Sequence, residues 1–86
     1  MYHCYILYSP KLDKYYIGST NDATGRLKRH NTAGKGFTST GKPWELKYME
    51  SYATRKEAVQ RELQLKRWKS RELLEKLIAE YDSSNS

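Results

Sequence analysis

Apolar and polar positions along the 86 residues fall into a short series of blocks. Tyr2–Ser9 (YHCYILYS) is rich in strand formers and apolar at both odd and even positions. The strand it predicts is therefore covered on both faces and central in its sheet. Pro10–Lys14 (PKLDK) reads as a turn, and Tyr15–Thr20 (YYIGST) as the returning strand of an antiparallel hairpin. Asn21 or Asp22 caps a helix that runs to about Ala33. Thr24 and Gly25 are poor helix residues in its first turn, glycine costing about 1 kcal/mol against alanine. Gly34–Lys42 (GKGFTSTGK) holds three glycines and is a surface loop. Pro43–Ala53 (PWELKYMESYA) alternates, with Trp44, Leu46, Tyr48 and Glu50 on one face, and predicts a third strand. Thr54-Arg55-Lys56-Glu57 is a capping box that opens a second helix through about Trp68. Ser70 with Glu72 starts a third, whose apolar stripe is Leu73, Leu74, Leu77, Ile78 and Tyr81.

The order strand, strand, helix, strand, helix, helix predicts an α+β fold: a small three-stranded antiparallel sheet flanked by three helices. Residues 1–82 make one domain, since a chain this short has no room for a second core. Residues 83–86 are a polar tail with nothing to bury, expected to fray.

Composition narrows the partner. The formal charge is +6, aromatics are 13% of the chain, and eight of those residues are tyrosines. Basic charge mixed with tyrosine is the footprint of a phosphate-rich partner, although lysines also serve plain solubility. The excess is uneven: Arg55 to Arg71 holds seven Lys or Arg against Glu57 and Glu62, so one side of the molecule is positive. Cys4 is the lone cysteine, which excludes an internal disulfide and a cysteine-built zinc site, and it packs as a small hydrophobe. The N-terminus shows no leader pattern and no run approaches spanning length, so the expected compartment is the cytoplasm, with no membrane partner.

Chemistry concentrates in two places. Tyr15-Tyr16-Ile17-Gly18 is followed by Arg26-Leu27-Lys28-Arg29-His30-Asn31, joining a strand end to a helix with a cation and an imidazole one turn apart. Residues four apart on a helix are neighbours, and a guanidinium, an imidazole and a strand tyrosine together suit a phosphate. Glu62 is the second place. Ala58 and Val59 sit one turn before it and Leu65 one turn after, so a carboxylate stands in the apolar stripe. It either pairs with a base such as Arg61, Lys66 or a strand residue, or faces a cleft where it binds a cation. Taken singly, each residue has a plainer reading: a packing tyrosine, a histidine complementing a helix C-terminus. Trp44 and Trp68 read as core.

Together these residues resemble a GIY-YIG nuclease domain, in particular its small stand-alone bacterial (UPF0213-like) members. The second family signature stands as Tyr16-Ile17-Gly18. The first keeps its tyrosine as Tyr5, preceded by His3-Cys4 where the name-giving pair is Gly-Ile. Glycine there is not a reactive group, so its loss removes no chemistry. The family's arginine, one turn before a histidine, matches Arg26 and His30, and its metal-binding glutamate matches Glu62. The resemblance covers almost the whole chain, with the elements in the right order.

The resemblance implies a divalent-metal-dependent endonuclease hydrolysing phosphodiester bonds in DNA or RNA. Glu62 would hold Mg²⁺ or Mn²⁺, and Arg26 would fork onto the phosphate. Tyr5 is its candidate general base; a phenol near its ordinary pKa of about 10 needs cations close by, and Arg26 and His30 are candidates to supply them. His30 is the alternative base, and Tyr16 would position the water or phosphate. Arg29, Lys35, Thr38, Lys42 and Lys66 are candidate contacts to the nucleic-acid backbone. The expected partner is structured or branched DNA, with a protein partner supplying specificity. The alternative function is a non-catalytic nucleic-acid-binding module of the same fold; a protein-interaction domain with incidental charge is a third.

Overall fold

The computed structural model describes residues 1–22, Gly25 and 43–85. The helix expected to Ala33 and the glycine-rich loop lie outside these residues, save for the cap. There Asp22 Oδ1 accepts from the Gly25 amide at 3.0 Å, so Asp22 rather than Asn21 caps the turn. An added Cβ at Gly25 would strike the Asp22 carboxylate, so a larger residue there would have to displace the capping side chain.

Three strands, β1 (Tyr2–Ser9), β2 (Lys14–Thr20) and β3 (Glu45–Tyr52), form one antiparallel sheet in the order β2-β1-β3. β1 is central and buried on both faces, as its unbroken apolar run required. On one face Cys4 and Ile6 join Ile17, Tyr48, Leu65, Leu74 and Ile78 in the main core. On the other, Tyr5 and Leu7 pack with Trp44, flanked by Leu12 and Tyr16. Each fully buried aliphatic side chain contributes roughly 1.5–3 kcal/mol. In the β1–β2 ladder Ile6 pairs with Ile17, Tyr5 with Gly18 and Leu7 with Tyr16.

β3 corrects the expected alternation. Ile6 pairs with Tyr48 but Leu7 with Leu46, which leaves Lys47 as an extra residue in a bulge. A bulge shifts the phase of a strand by one residue. Trp44 and Leu46 therefore lie on the Tyr5 face, while Tyr48 and Glu50 turn to the opposite one; the four do not share a face.

Helices α1 (Arg55–Trp68) and α2 (Arg71–Asn85) cover the Ile6 face. Thr54 caps α1: its hydroxyl accepts from the Glu57 amide at 3.3 Å and donates to the Glu57 carboxylate at 2.9 Å. Lys69, left-handed at φ 46°, ends α1, and Ser70 Oγ accepts from the Leu73 amide to open α2. On α2 the buried residues are Leu74 and Ile78, with Leu77 and Tyr81 beside them. Leu73 is 46% exposed and leaves the expected stripe. Arg71 anchors α2 to the β1–β2 turn, donating to the Asp13 carbonyl at 3.0 Å and to its carboxylate.

Candidate functional site

Tyr5 and Gly18 are partners across the first ladder, on the face away from the helices. Tyr5 is almost fully buried, and its ring lies over the glycine backbone. A Cβ at Gly18 would stand 2.5 Å from the Tyr5 hydroxyl, 2.7 Å from Cζ and 3.2 Å from Tyr16 Cε1. No real side chain fits those gaps, so the glycine of Tyr-Ile-Gly is what lets the Tyr5 phenol reach the β2 edge of the sheet. The Tyr5 and Tyr16 rings lie 6.5 Å apart, and Trp44 meets Tyr16 edge-on at 6.2 Å, fixing that ring from its other side. The two signature tyrosines thus form one aromatic cluster.

The departure from Gly-Ile has a local account. Cys4 takes the inward position and is fully buried in the helix-side core. Burial first, then the nearby Glu50 and Glu62 carboxylates, push its thiol up to about 12, so it stays protonated and inert. His3 Nδ1 and Ser51 Oγ are hydrogen-bonded at 2.9 Å, tying β1 to β3 where the family has a glycine.

Glu62 lies on the other side of the sheet. Its Oε1 accepts from Ser19 Oγ at 2.7 Å and its Oε2 from Lys66 Nζ at 2.6 Å, with the carboxylate side chain 18% exposed. The Lys66 pairing was one of the two alternatives its helical position posed. Ser19 was not legible as a partner: it stands 43 residues away, and only the packing of α1 across β2 brings them together. Ser19 is the residue next to Gly18, so Tyr5 and Glu62 meet the same two-residue stretch of the edge strand from opposite faces.

A second carboxylate stands near Cys4 on the helix side. Glu50 accepts from the hydroxyls of Tyr48 and Tyr52 and from Arg61 Nε at 3.1 Å. Burial, then the Glu50 contact, raises the Tyr52 phenol to about 12. This network is closed, and among the described residues no buried side-chain nitrogen or oxygen lacks a partner. Nor do any three His, Cys, Asp or Glu among them form a group that could hold a metal ion. Arg26, Arg29, His30, Lys35, Thr38 and Lys42 lie outside the described residues. Of the expected site residues, the structure brings Tyr5 and Tyr16 together and sets Glu62 and Lys66 across the sheet from them.

A three-stranded sheet with paired strand tyrosines, the first seated on the glycine of Tyr-Ile-Gly, defines a known class. The family model described as the GIY-YIG catalytic domain matches residues 1–77, and the chain belongs to that family, whose domains are of nuclease type and act on nucleic acids. More narrowly, it is similar to UPF0213 proteins. It is 47% identical over 55 residues to one from Bacillus pumilus, covering 62% of this chain and 55% of that protein. It is 39% identical over 67 residues to the UPF0213 protein YazA of Bacillus subtilis, covering 76% and 67%. The chain thus spans little more than half the length of the first relative and two thirds of the second. The solution NMR structure of a UPF0213 protein from Bacillus halodurans superposes with a TM-score of 0.56 at 28% identity, covering 92% of this chain and 84% of that one. No helix among the described residues is long and apolar enough to cross a membrane.

Proposed function

We propose that the chain is a divalent-metal-dependent endonuclease that hydrolyses phosphodiester bonds in DNA or RNA. The observation that carries this reading is the Tyr5 phenol seated over Gly18 beside Tyr16. The glycine beneath the ring leaves the Tyr5 hydroxyl at the edge strand, beside the second signature tyrosine. In this reading Tyr5 or His30 accepts the proton of the attacking water, Tyr16 orients the water or the phosphate, and Arg26 forks onto the non-bridging oxygens.

The donor set around Glu62 suits a hard cation. It offers oxygens alone, one carboxylate and the Ser19 hydroxyl, and Mg²⁺ or Mn²⁺ binds through few protein oxygens, several waters and a substrate phosphate. When bound, such an ion supplies charge neutralisation at the phosphate and at the leaving oxygen. Lys66 already sets a positive charge against Oε2, and its side chain is half exposed and able to swing aside. Glu62 would hold the ion, and Ser19 would orient the carboxylate. Structured or branched DNA as substrate, a protein partner that supplies specificity, and a cytoplasmic setting complete the proposal.

The test is cleavage of labelled branched, single-stranded and duplex substrates with Mg²⁺ or Mn²⁺ against EDTA. Tyr5→Phe and Arg26→Ala are each expected to cost at least ~10²-fold in rate, the scale of losing a positioned acid–base or charge-stabilising group. Tyr16→Phe costs less, because its role is positioning. One observation favours a second reading, a binding module that does not cut. Glu62 lies across the sheet from the tyrosines and is already engaged by Ser19 and Lys66. Binding by the wild type, with no cleavage of any substrate, decides for that module.

A further inference from the structure

Where β2 ends beside the first turns of α1, a cleft of about 260 Å³ opens. Its lining is Tyr2 from the start of β1, Ser19, Thr20 and Asn21 from the end of β2, and Arg55 and Ala58 from α1. Apart from the buried Ala58, every one of these side chains carries a polar group. Ser19 is a wall of the cleft and also the donor to Glu62 Oε1 at 2.7 Å, so the cleft opens beside that carboxylate. Arg55 is the one charged residue of the lining. It is exposed, and its guanidinium makes no hydrogen bond or ion pair with any described residue. The Tyr2 phenol and the Asn21 amide are equally unengaged among the described residues. The acids close by in the chain are turned elsewhere. Asp22 accepts from the Gly25 amide, Glu57 from the Thr54 hydroxyl, and Glu62 from Ser19 and Lys66. A guanidinium, an amide and a phenol thus meet in one small cleft whose lining holds no carboxylate.

We propose that this cleft seats a backbone phosphate of the nucleic acid, one that flanks the phosphate to be cleaved, with Arg55 as its principal contact. The inference rests on the nuclease reading above and adds a substrate-positioning residue and a path for the strand. The cleft is smaller than the roughly 300 Å³ at which sites begin to enclose a whole small ligand, so it fits a phosphate group and not a base. A guanidinium forks onto two phosphate oxygens, and the amide of Asn21 and the hydroxyl of Tyr2 are neutral donors for the rest. Arg55 and Glu62 stand seven residues apart on α1, which is two turns, one face of the helix and about 10 Å along its axis. A strand with one phosphate at Glu62 and another on Arg55 therefore runs along α1 toward its first turn. Such a contact fixes where the strand lies without reading its sequence, so Arg55 positions the substrate and does not select it.

Fluorescence anisotropy in EDTA, where no metal-dependent cleavage occurs, tests this with a labelled DNA hairpin that carries a single-stranded tail. The slope of log affinity against log salt should become shallower by about 0.7–0.9 in Arg55→Gln, the contribution of one phosphate on a single strand or a duplex. Arg55→Lys keeps the charge and should restore the slope. Asn21→Ala removes a neutral donor, so it should weaken binding several-fold at every salt concentration and leave the slope alone. Lys56→Gln, an exposed lysine on the same helix turn but outside the cleft, should keep the wild-type slope. An unchanged slope in Arg55→Gln overturns the proposal, as does an equal loss in Lys56→Gln or the absence of binding by the wild type. Thermal denaturation in inorganic phosphate against chloride at matched ionic strength is the second arm. A rise in melting temperature that Arg55→Gln abolishes, with no change of slope on the hairpin, assigns the cleft to free phosphate and overturns the nucleic-acid contact. Cleavage with Mg²⁺ is measured separately on the same proteins. If the wild type cuts and Arg55→Gln binds and cuts as it does, the cleft falls while the nuclease reading stands. If the slope changes at Arg55 but the wild type never cuts, the phosphate seat stands and the nuclease reading falls.

Discussion

Gly18 is the residue on which the site geometry turns. A methyl group there meets the Tyr5 hydroxyl at 2.5 Å and the Tyr5 and Tyr16 rings close behind, and the Tyr5 ring is buried and cannot simply swing into solvent. Overpacking of this kind costs about 1–3 kcal/mol. Gly18→Ala should therefore lower the melting temperature by several degrees, since about 1 kcal/mol is worth roughly 4–8 °C in a domain of this size. It should also displace the phenol and reduce cleavage. Tyr5→Leu shortens the side chain that the methyl meets, so adding Gly18→Ala to it should cost less than adding it to the wild type. A double-mutant cycle by thermal denaturation measures that coupling, expected within about 0.5–3 kcal/mol for residues in contact. Equal costs in both backgrounds would mean that Gly18 is there for the backbone and not for Tyr5. The tyrosines and the glycine were legible in sequence because the motif is local. What Gly18 spares was not, because Tyr5 belongs to the other strand and only the hairpin register sets the two opposite each other.

At the scale of elements, two local devices hold the frame. The first is the bulge at Lys47, which puts Trp44 behind Tyr16 while keeping Tyr48 under α2. Deleting Lys47 would remove the unpaired residue and still leave Leu46 opposite Leu7 and Tyr48 opposite Ile6, so Trp44 should keep its pocket. The deletion should therefore fold by circular dichroism, and loss of the fold would mean that the bend and twist the bulge gives β3 are themselves required. Lys47→Ala, which keeps the residue count, should stay within about 0.5 kcal/mol, because the Lys47–Glu45 pair is exposed at 3.8 Å. The alternation of Trp44, Leu46, Tyr48 and Glu50 made the strand legible but hid the bulge. Nothing in a single strand's pattern reveals an extra residue that only its partner leaves unpaired. The second device joins the β1–β2 turn to α2. Hydrogen bonds from Arg71 and then Tyr8 hold the Asp13 carboxyl down at about 2. A folded-state value below the unfolded one, near 3.9, means the stabilisation is present above about pH 4 and is lost as pH falls toward 2. The melting temperature should fall through that window in the wild type, and Asp13→Asn should flatten the fall. The group is largely exposed, so the effect will be small and will shrink with salt.

Across the whole molecule the charge is +6, and Glu62 is one of few acids in the basic stretch from Arg55 to Arg71. That makes it the residue where binding and catalysis separate. If it holds the catalytic cation, Glu62→Gln removes the charge the cation needs while an amide oxygen can still accept from Ser19. Cleavage should vanish. Affinity for nucleic acid measured in EDTA should be unchanged or slightly higher, since one negative charge has left a cationic face. The salt slope should hold, because each contacted phosphate contributes about −0.9 for duplex DNA and no contacted phosphate is lost. Stability should move little: the Lys66 pair joins a half-exposed lysine to a carboxylate on adjacent helical turns, and such pairs are worth roughly 0.3–0.5 kcal/mol. If Glu62 serves only to pin α1 to β2, the pattern inverts. Cleavage then survives, and Ser19→Ala, which breaks the same pin from the strand side, lowers the melting temperature as much as Glu62→Ala does. Rate, affinity and melting temperature on one preparation of each variant therefore separate a metal-holding glutamate from a structural one, although both readings begin from the same two hydrogen bonds.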